Sequence, residues 1–334
     1  MKANLYKGCW TAVLAVGLLG VAAGCRPAAN KPVTEKLRFG LSPLTLSALP
    51  IIALEKGFFA AEGLEVAVVE YGSGDVALSG VFSGVVDVAT CSEVPMVAAS
   101  FRRKDFAAFA CIGGTSHEHG IVARKDAGIE KPSDLRGKRV ATVRATAMHL
   151  FLHLFLLHQK MPEGELQLSY LQPAEAVTAL VDGRVDAISI REPYISQAES
   201  GLGARAVVFV DSGIYFRTQL AIASKAFLEQ HPEAARRFVR GLLRAERFAE
   251  AEPDEARRIV AKRMGVEVVR LRQDWSRLQL KVSLRQSLFG RLEDEARWML
   301  NTGLVPSAPI PNYLEFIDAS VLNAVEPEQI DIIR

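Results

Sequence analysis

Gly84-Val85-Val86-Asp87-Val88-Ala89 and Gly183-Arg184-Val185-Asp186-Ala187-Ile188, about 100 residues apart, are two versions of one phrase. Each opens with a glycine suited to a turn, continues with an aspartate that closes the turn, and runs into an apolar strand. Six residues after each aspartate stands a glutamate, Glu93 and Glu192; Pro95 follows the first after one residue and Pro193 follows the second directly. Proline favours the first turn of a helix, where its missing N–H costs nothing, so each glutamate reads as the end of a strand just before a helix. Carboxyl ends of strands are where open α/β sheets bind ligands. Two such ends predict two similar lobes that present equivalent edges to one shared cleft.

Outward from these phrases, short apolar strands alternate with helical patterns, the signature of mainly parallel sheets. The first series predicts strands at Leu37–Leu41, Glu65–Glu70, Val86–Thr90 and Phe106–Ile112, with helices at Leu46–Ala61, Val76–Ser83 and Pro95–Phe101. After Ile112-Gly113-Gly114 a second series begins near Lys131-Pro132-Ser133-Asp134-Leu135-Arg136-Gly137. It predicts strands at Arg139–Val143, Gln167–Leu171, Ala187–Ile190 and Ala206–Val210, and helices at Ala147–Gln159 and Ala174–Asp182. Thr218–Ala223 reads as one more strand, and nearly everything beyond Lys225 reads as helix. The arginines at 236, 237, 240, 244 and 247 fit a solvated helix face balanced by Glu233, Glu246 and Glu250 better than a docking stripe.

The chain has 334 residues, 49% hydrophobic and 23% charged, an ordinary globular balance with length for two lobes. Its first residues, Met1 to Lys7, carry two lysines and lead into an uncharged apolar run from Trp10 to Ala23, the layout of a secretory signal and short for a membrane span. Removing residues 1–24 leaves 38 basic and 38 acidic residues, which argues against a nucleic-acid partner. Val21-Ala22-Ala23-Gly24-Cys25 resembles the lipobox of bacterial lipoproteins, departing from it at Ala22, where leucine is usual. The resemblance implies that Cys25 is acylated and becomes the mature N-terminus; ordinary signal cleavage without lipid is the alternative. Residues 25–36 then form a flexible tether. Cys91 and Cys111 are either one disulfide or two buried thiols.

A family resemblance covers roughly residues 37–230. Leu49-Pro50-Ile51-Ile52-Ala53-Leu54-Glu55-Lys56-Gly57-Phe58-Phe59, continued by Ala60-Ala61-Glu62-Gly63-Leu64-Glu65-Val66, resembles the first helix and second strand of the nitrate, sulfonate, taurine and thiamine-precursor binding proteins of ABC importers. Gly72-Ser73-Gly74, Leu135-Arg136-Gly137-Lys138-Arg139-Val140-Ala141 and Arg191-Glu192-Pro193-Tyr194 extend it in order and spacing. The resemblance implies an α/β, two-lobe periplasmic binding fold, each lobe a mainly parallel sheet flanked by helices, with the ligand cleft between them. One lobe comprises 37–121 with 215–334, and the inserted lobe 122–214. Crossovers near Gly120–Ala123 and Asp211–Tyr215 then form the hinge.

The resemblance also implies a binding site at Thr45, Ser73, Glu93, Thr115, Ser116, Arg144, Thr146, Glu192 and Tyr194. Each hydroxyl has a plain alternative as a helix cap or turn residue. Glu93 and Glu192 facing each other across the cleft favour an amine- or heteroaromatic-containing solute, with a sulfonate-like solute as the alternative and Arg144 able to hold an anionic end. His117-Glu118-His119 lacks a third close ligand for a metal and reads as a polar loop beside the cleft. No cofactor, metal or catalytic residue is expected. Some relatives of this fold make the thiamine pyrimidine, but they carry a cysteine-rich cluster that this chain lacks. The expected partners are a small molecule, an ABC permease and ATPase, and the membrane through the lipid; a ligand-sensing lipoprotein is the alternative role, and the chain is expected to be a monomer. Mass spectrometry of the mature N-terminus should find an acylated Cys25; an unmodified N-terminus at another residue overturns that reading.

Overall fold

The computed structural model describes residues 34–333, apart from the side chains of 270 and 272–274. The expected signal segment, Cys25 and most of the tether lie outside the described residues.

The first series forms β1 (Glu35–Leu41), α1 (Ala48–Glu55), α2 (Phe58–Ala61), β2 (Leu64–Glu70), α3 (Gly74–Phe82), β3 (Val88–Ser92), α4 (Glu93–Ser100) and β4 (Phe106–Thr115). The second forms β5 (His119–Arg124), β6 (Arg139–Thr142), α5 (Ala147–His158), β7 (Gln167–Tyr170), α6 (Pro173–Val181), β8 (Ala187–Arg191), α7 (Tyr194–Leu202) and β9 (Ala206–Phe209). β10 (Arg217–Ser224) is followed by α8 (Lys225–Gln230), α9 (Pro232–Ala251), α10 (Pro253–Met264), α11 (Val268–Trp275), α12 (Ser287–Asn301) and α13 (Ser320–Asn323).

Two five-stranded sheets result, ordered β2-β1-β3-β10-β4 and β7-β6-β8-β5-β9. In each the first three strands are parallel and the fourth is antiparallel to both neighbours. The repeated phrase has a physical counterpart in both. Asp87 takes the Arg38 backbone N–H at 2.8 Å and its Nε at 3.1 Å, while Arg38 Nη1 donates to Gly84 O at 2.7 Å. Asp186 takes the Arg139 N–H at 2.9 Å and its Nε at 3.1 Å, and Arg139 Nη2 donates to Gly183 O at 2.9 Å. The aspartate thus ties its turn to an arginine of the neighbouring parallel strand, midway along β1 and at the start of β6, fixing where β3 and β8 begin.

Two expectations change. The helix foreseen over Leu46–Ala61 breaks at Gly57, whose φ of 68° is a left-handed conformation that ends α1 and lets α2 start in a new direction. Gly120–Ala123, foreseen as hinge, is regular strand in β5, paired with β8 and β9, and the chain changes sheets earlier, between Thr115 and His119. Gly120 serves close packing, since a Cβ there would meet Phe209 O at 3.3 Å and the Ile195 and Val210 side chains at 3.2 Å.

The first sheet packs on α2 and α9 through Phe39, Phe59, Phe109 and Phe238, with Phe59 stacked on Phe238 at 4.9 Å and 9°. The same buried cluster continues through Tyr215 into Phe151 of α5, so apolar contact joins both lobes. Outside it, the α9 arginines pair with Glu62, Glu233 and Glu326, a solvated ion-pair face. Cys91 and Cys111 are free and buried, and burial pushes both thiols up, Cys111 to about 12.

Gly241 of α9 lies against the Phe59 ring, where an added Cβ would come within 2.4 Å of a ring carbon. Alanine improves helix propensity by ~1 kcal/mol, but overpacking against a ring already held by a stack costs typically ~1–3 kcal/mol. Gly241→Ala should therefore lower the chemical-denaturation midpoint; an unchanged or raised midpoint would show that Phe59 yields freely.

Candidate functional site

β1 and β3, and likewise β6 and β8, are parallel strands, and the edges formed by the carboxyl ends of such strands are where open α/β sheets bind ligands. At the first edge Thr45 opens a short 3-10 turn before α1 and is half-buried. Beside it Ser42 is fully buried; its N–H donates to Thr90 Oγ1 at 3.1 Å, while its own Oγ has no partner. Ser73 occupies the cap position of α3 without a side-chain capping bond, and Gly74 after it runs so close to β3 that a Cβ would sit 3.1 Å from Cys91 Cα. Gln219, at the head of β10, is also buried, with Nε2 3.4 Å from Ser47 Oγ and Oε1 unpartnered. Orphaned buried oxygens are uncommon because each costs on the order of 1–3 kcal/mol, so this edge holds unsatisfied hydrogen-bonding capacity.

At the second edge the loop after β6 turns sharply. Ala145 has φ 59°, and Thr146 Oγ1 donates back to Val143 O at 2.6 Å, closing the loop instead of capping α5. That turn leaves Arg144 exposed, its guanidinium 5.8 Å from the Tyr170 ring centroid. No carboxylate lies within ion-pair distance of Arg144 among the described residues. Tyr194 opens α7 and is half-buried.

The two glutamates do not oppose each other across a cleft. Glu93 is fully buried within the first lobe, where Tyr215 Oη donates to it at 2.7 Å and the Thr218 N–H at 3.0 Å. Burial drives its carboxyl above the usual range against the pull of those hydrogen bonds and of Arg217. Glu192 takes the Ser196 hydroxyl at 2.9 Å and the Ser196 N–H at 3.3 Å, so it works as a cap on the first turn of α7. Both carboxylates are satisfied by their own chain, which removes the ground for expecting a cationic ligand. Thr115 and Ser116 likewise have local partners: Thr115 Oγ1 donates to Arg277 O and accepts the His117 N–H, each at 3.2 Å, and Ser116 Oγ lies 3.2 Å from His117 Nδ1.

What the sequence did not expose is a half-buried charge centre between the sheets. Glu118, foreseen in a polar loop, accepts a hydrogen bond from Arg217 at the start of β10 and lies 3.6 Å from Arg191 at the end of β8. Burial alone would raise its carboxyl, but Arg217 and Arg191 outweigh burial and hold it down to about 2. The neighbouring His119 is buried against Tyr215 and Phe151, and burial pushes its imidazole down to about 3 despite Glu118. The available signal was Arg217, a lone cation heading an apolar strand.

The family model described as NMT1/THI5 like matches residues 47–256. The chain belongs to that family. A Bacillus subtilis (strain 168) protein provisionally named an aliphatic sulfonates-binding protein is 28% identical over 251 residues, 73% of this chain and 75% of its own. The taurine-binding periplasmic protein of Escherichia coli (strain K12) is 26% identical over 190 residues, 55% of this chain and 58% of its own. Among solved structures, the periplasmic aliphatic sulphonate binding protein SsuA from Escherichia coli superposes with TM-score 0.73 at 20% identity, over 85% of this chain and 97% of that one. This likeness shows the two-lobe periplasmic binding fold. The desulfurization enzyme DSZB shares it, with TM-score 0.65 at 17% identity over 88% of this chain and 99% of that one, so the fold alone assigns no activity.

Within this NMT1/THI5 like chain the Glu118 centre makes a stability test. Glu118→Gln keeps the shape but strips the counter-charge from the buried Arg217 and the half-buried Arg191, and such breakage costs up to about 3–5 kcal/mol. Because the folded carboxyl titrates below its ordinary 4.5, its contribution is complete above that value and is lost as pH falls toward about 2. Denaturant titrations should show the glutamine variant less stable at neutral pH, with the gap closing between pH ~4.5 and ~2. A gap that is absent at pH 7, or that persists unchanged at the acid end, contradicts the assignment.

Proposed function

We propose that this protein is the substrate-binding component of an ABC importer, which takes up a small sulfonate-like anion between its lobes and delivers it to a membrane permease. The supporting observation is Arg144. It stands exposed, without an acidic partner among the described residues, after the carboxyl end of β6 and three residues before a 12-residue helix whose first N–H groups have no partners within the helix. A fixed positive charge beside a helix N-terminus is an anion site, and guanidinium geometry matches a sulfonate or carboxylate in two hydrogen bonds. The names of the relatives agree with that chemistry, in that one is an aliphatic sulfonates-binding and another a taurine-binding protein.

In this reading Arg144 and Thr146 hold the anionic head, Tyr194 flanks it, and Thr45, Ser73 and the orphaned Ser42 hydroxyl meet the rest of the solute from the other lobe. Tightening of the cleft then needs only a change of angle at the two crossovers, the sheets staying as they are. The lipid at Cys25 would hold the protein at the membrane beside its permease, on the periplasmic or outer face, as a monomer.

The test is calorimetric titration with taurine, short alkanesulfonates, nitrate and a cationic amine. The expected outcome is binding of a sulfonate and none of the amine. Arg144→Ala should weaken that binding about ten- to a hundredfold, the loss of a charge-assisted hydrogen bond of ~1.5–3 kcal/mol, with the thermal melt unchanged. Preference for the amine, or undiminished affinity in the variant, overturns the proposal.

A further inference from the structure

On the first lobe, beside the head of β10, the chain lines a second positively charged pocket, open on one side. Residues 279–283 run along the outer side of β4, with Gln279 bridged to Gly114 and Ser283 to Cys111. Between this segment, the β4–β10 pair and the first turn of α12 lies a cavity of about 300 Å³. Its lining carries three cations, Lys281, Arg285 and Arg291, and the hydroxyls of Thr218, Ser283 and Ser287, with no carboxylate among the lining residues. No residue of the second sheet contributes to it.

The three cations differ in how far they are neutralised. Lys281 pairs with the buried Glu246, and Arg285 lies 3.6 Å from Asp331 and 3.3 Å from Gln329 Oε1. Arg291 has no carboxylate within ion-pair distance among the described residues. Its guanidinium rests over Phe216 at 5.5 Å, and its two Nη groups make only long hydrogen bonds, each 3.3 Å, to Ser287 Oγ and Thr218 Oγ1. Its Nε is buried and unpartnered. A buried guanidinium N–H left without an acceptor costs free energy that an anionic oxygen would recover. The hydroxyls around it can turn to donate, and the cavity has room for a tetrahedral ion and several waters, at ~30 Å³ of liquid per water.

We propose that this cavity is a second anion site, which binds a small oxoanion such as sulfate or phosphate with Arg291 as the main contact and Arg285 and Ser283 beside it. The site stands on the cavity and its charges, and its lining shares no residue with those assigned to the cleft. An occupant would tie the start of α12 to the β4–β10 pair, and α12 carries Trp298, whose ring meets His149 of α5 at 5.3 Å, so the site adjoins an element in contact with the other lobe.

Inorganic sulfate and inorganic phosphate, titrated separately into the protein at constant ionic strength with chloride as the balancing salt, test the proposal. At least one should bind and raise the melting temperature. Arg291→Gln should weaken that binding at least ~tenfold, the scale of one charge-assisted hydrogen bond, and Arg144→Ala should leave it unchanged. If Arg291→Gln does not fold, Arg285→Gln, at a half-exposed position, takes its place with the same expectation. Absence of binding beyond the chloride control, equal affinity in the folded variant, or loss of binding in Arg144→Ala overturns the second site; the last outcome would place the oxoanion in the cleft.

Discussion

One carboxylate, Glu118, fixes how the two halves of this molecule meet. It sits where the chain leaves the first sheet for the second, and it is shared by Arg191 from the end of β8 and Arg217 from the head of β10. A single half-buried charge with two partners on different sheets restrains direction as well as distance, because either guanidinium that withdraws leaves charge less well answered. Tyr215, His119 and Phe151 close around this centre and exclude water, which strengthens the pairing and raises the cost of breaking it. The strand ends on which a ligand would rest are held from this point.

The architecture was legible because its signals are local. A turn glycine, an aspartate and an apolar strand lie within six residues of one another, and both copies fold as written, with Asp87 and Asp186 gripping Arg38 and Arg139 in matching fashion. The strand ranges held within one or two residues at most ends, since each buried run is bounded by its own polar residues. The misses were also local in origin. Gly57 breaks a helix whose apolar pattern runs through it, and β5 hid behind Gly120, a residue that looked like a hinge and serves as a packing contact.

The site was far less legible, for the same reason in reverse. Position at a strand end can be read from sequence, but the partner of a carboxylate cannot. Glu93 is answered by Tyr215 and Thr218, more than 120 residues along the chain, and Glu192 by Ser196, one helical turn ahead. Both seemed to await a ligand only because the groups that satisfy them were not visible. The same limit hid Glu118, whose arginines come from 73 and 99 residues away. Arg144 stays a candidate because no carboxylate among the described residues pairs with it.

The placing of β10 also bears on the order in which the molecule can assemble. The second sheet is built from one unbroken stretch, residues 119 to 209, and is complete once that stretch has emerged. The first sheet has β3 and β4 on either side of a gap that β10 alone fills, and β10 follows the whole of the inserted lobe. Until residues 217–224 arrive, two long apolar strands must wait with open edges, a state in which strands pair readily with the wrong neighbour. For a chain threaded from its N-terminus, the half that starts first is therefore the half that finishes last, and the interval is set by the length of the insertion.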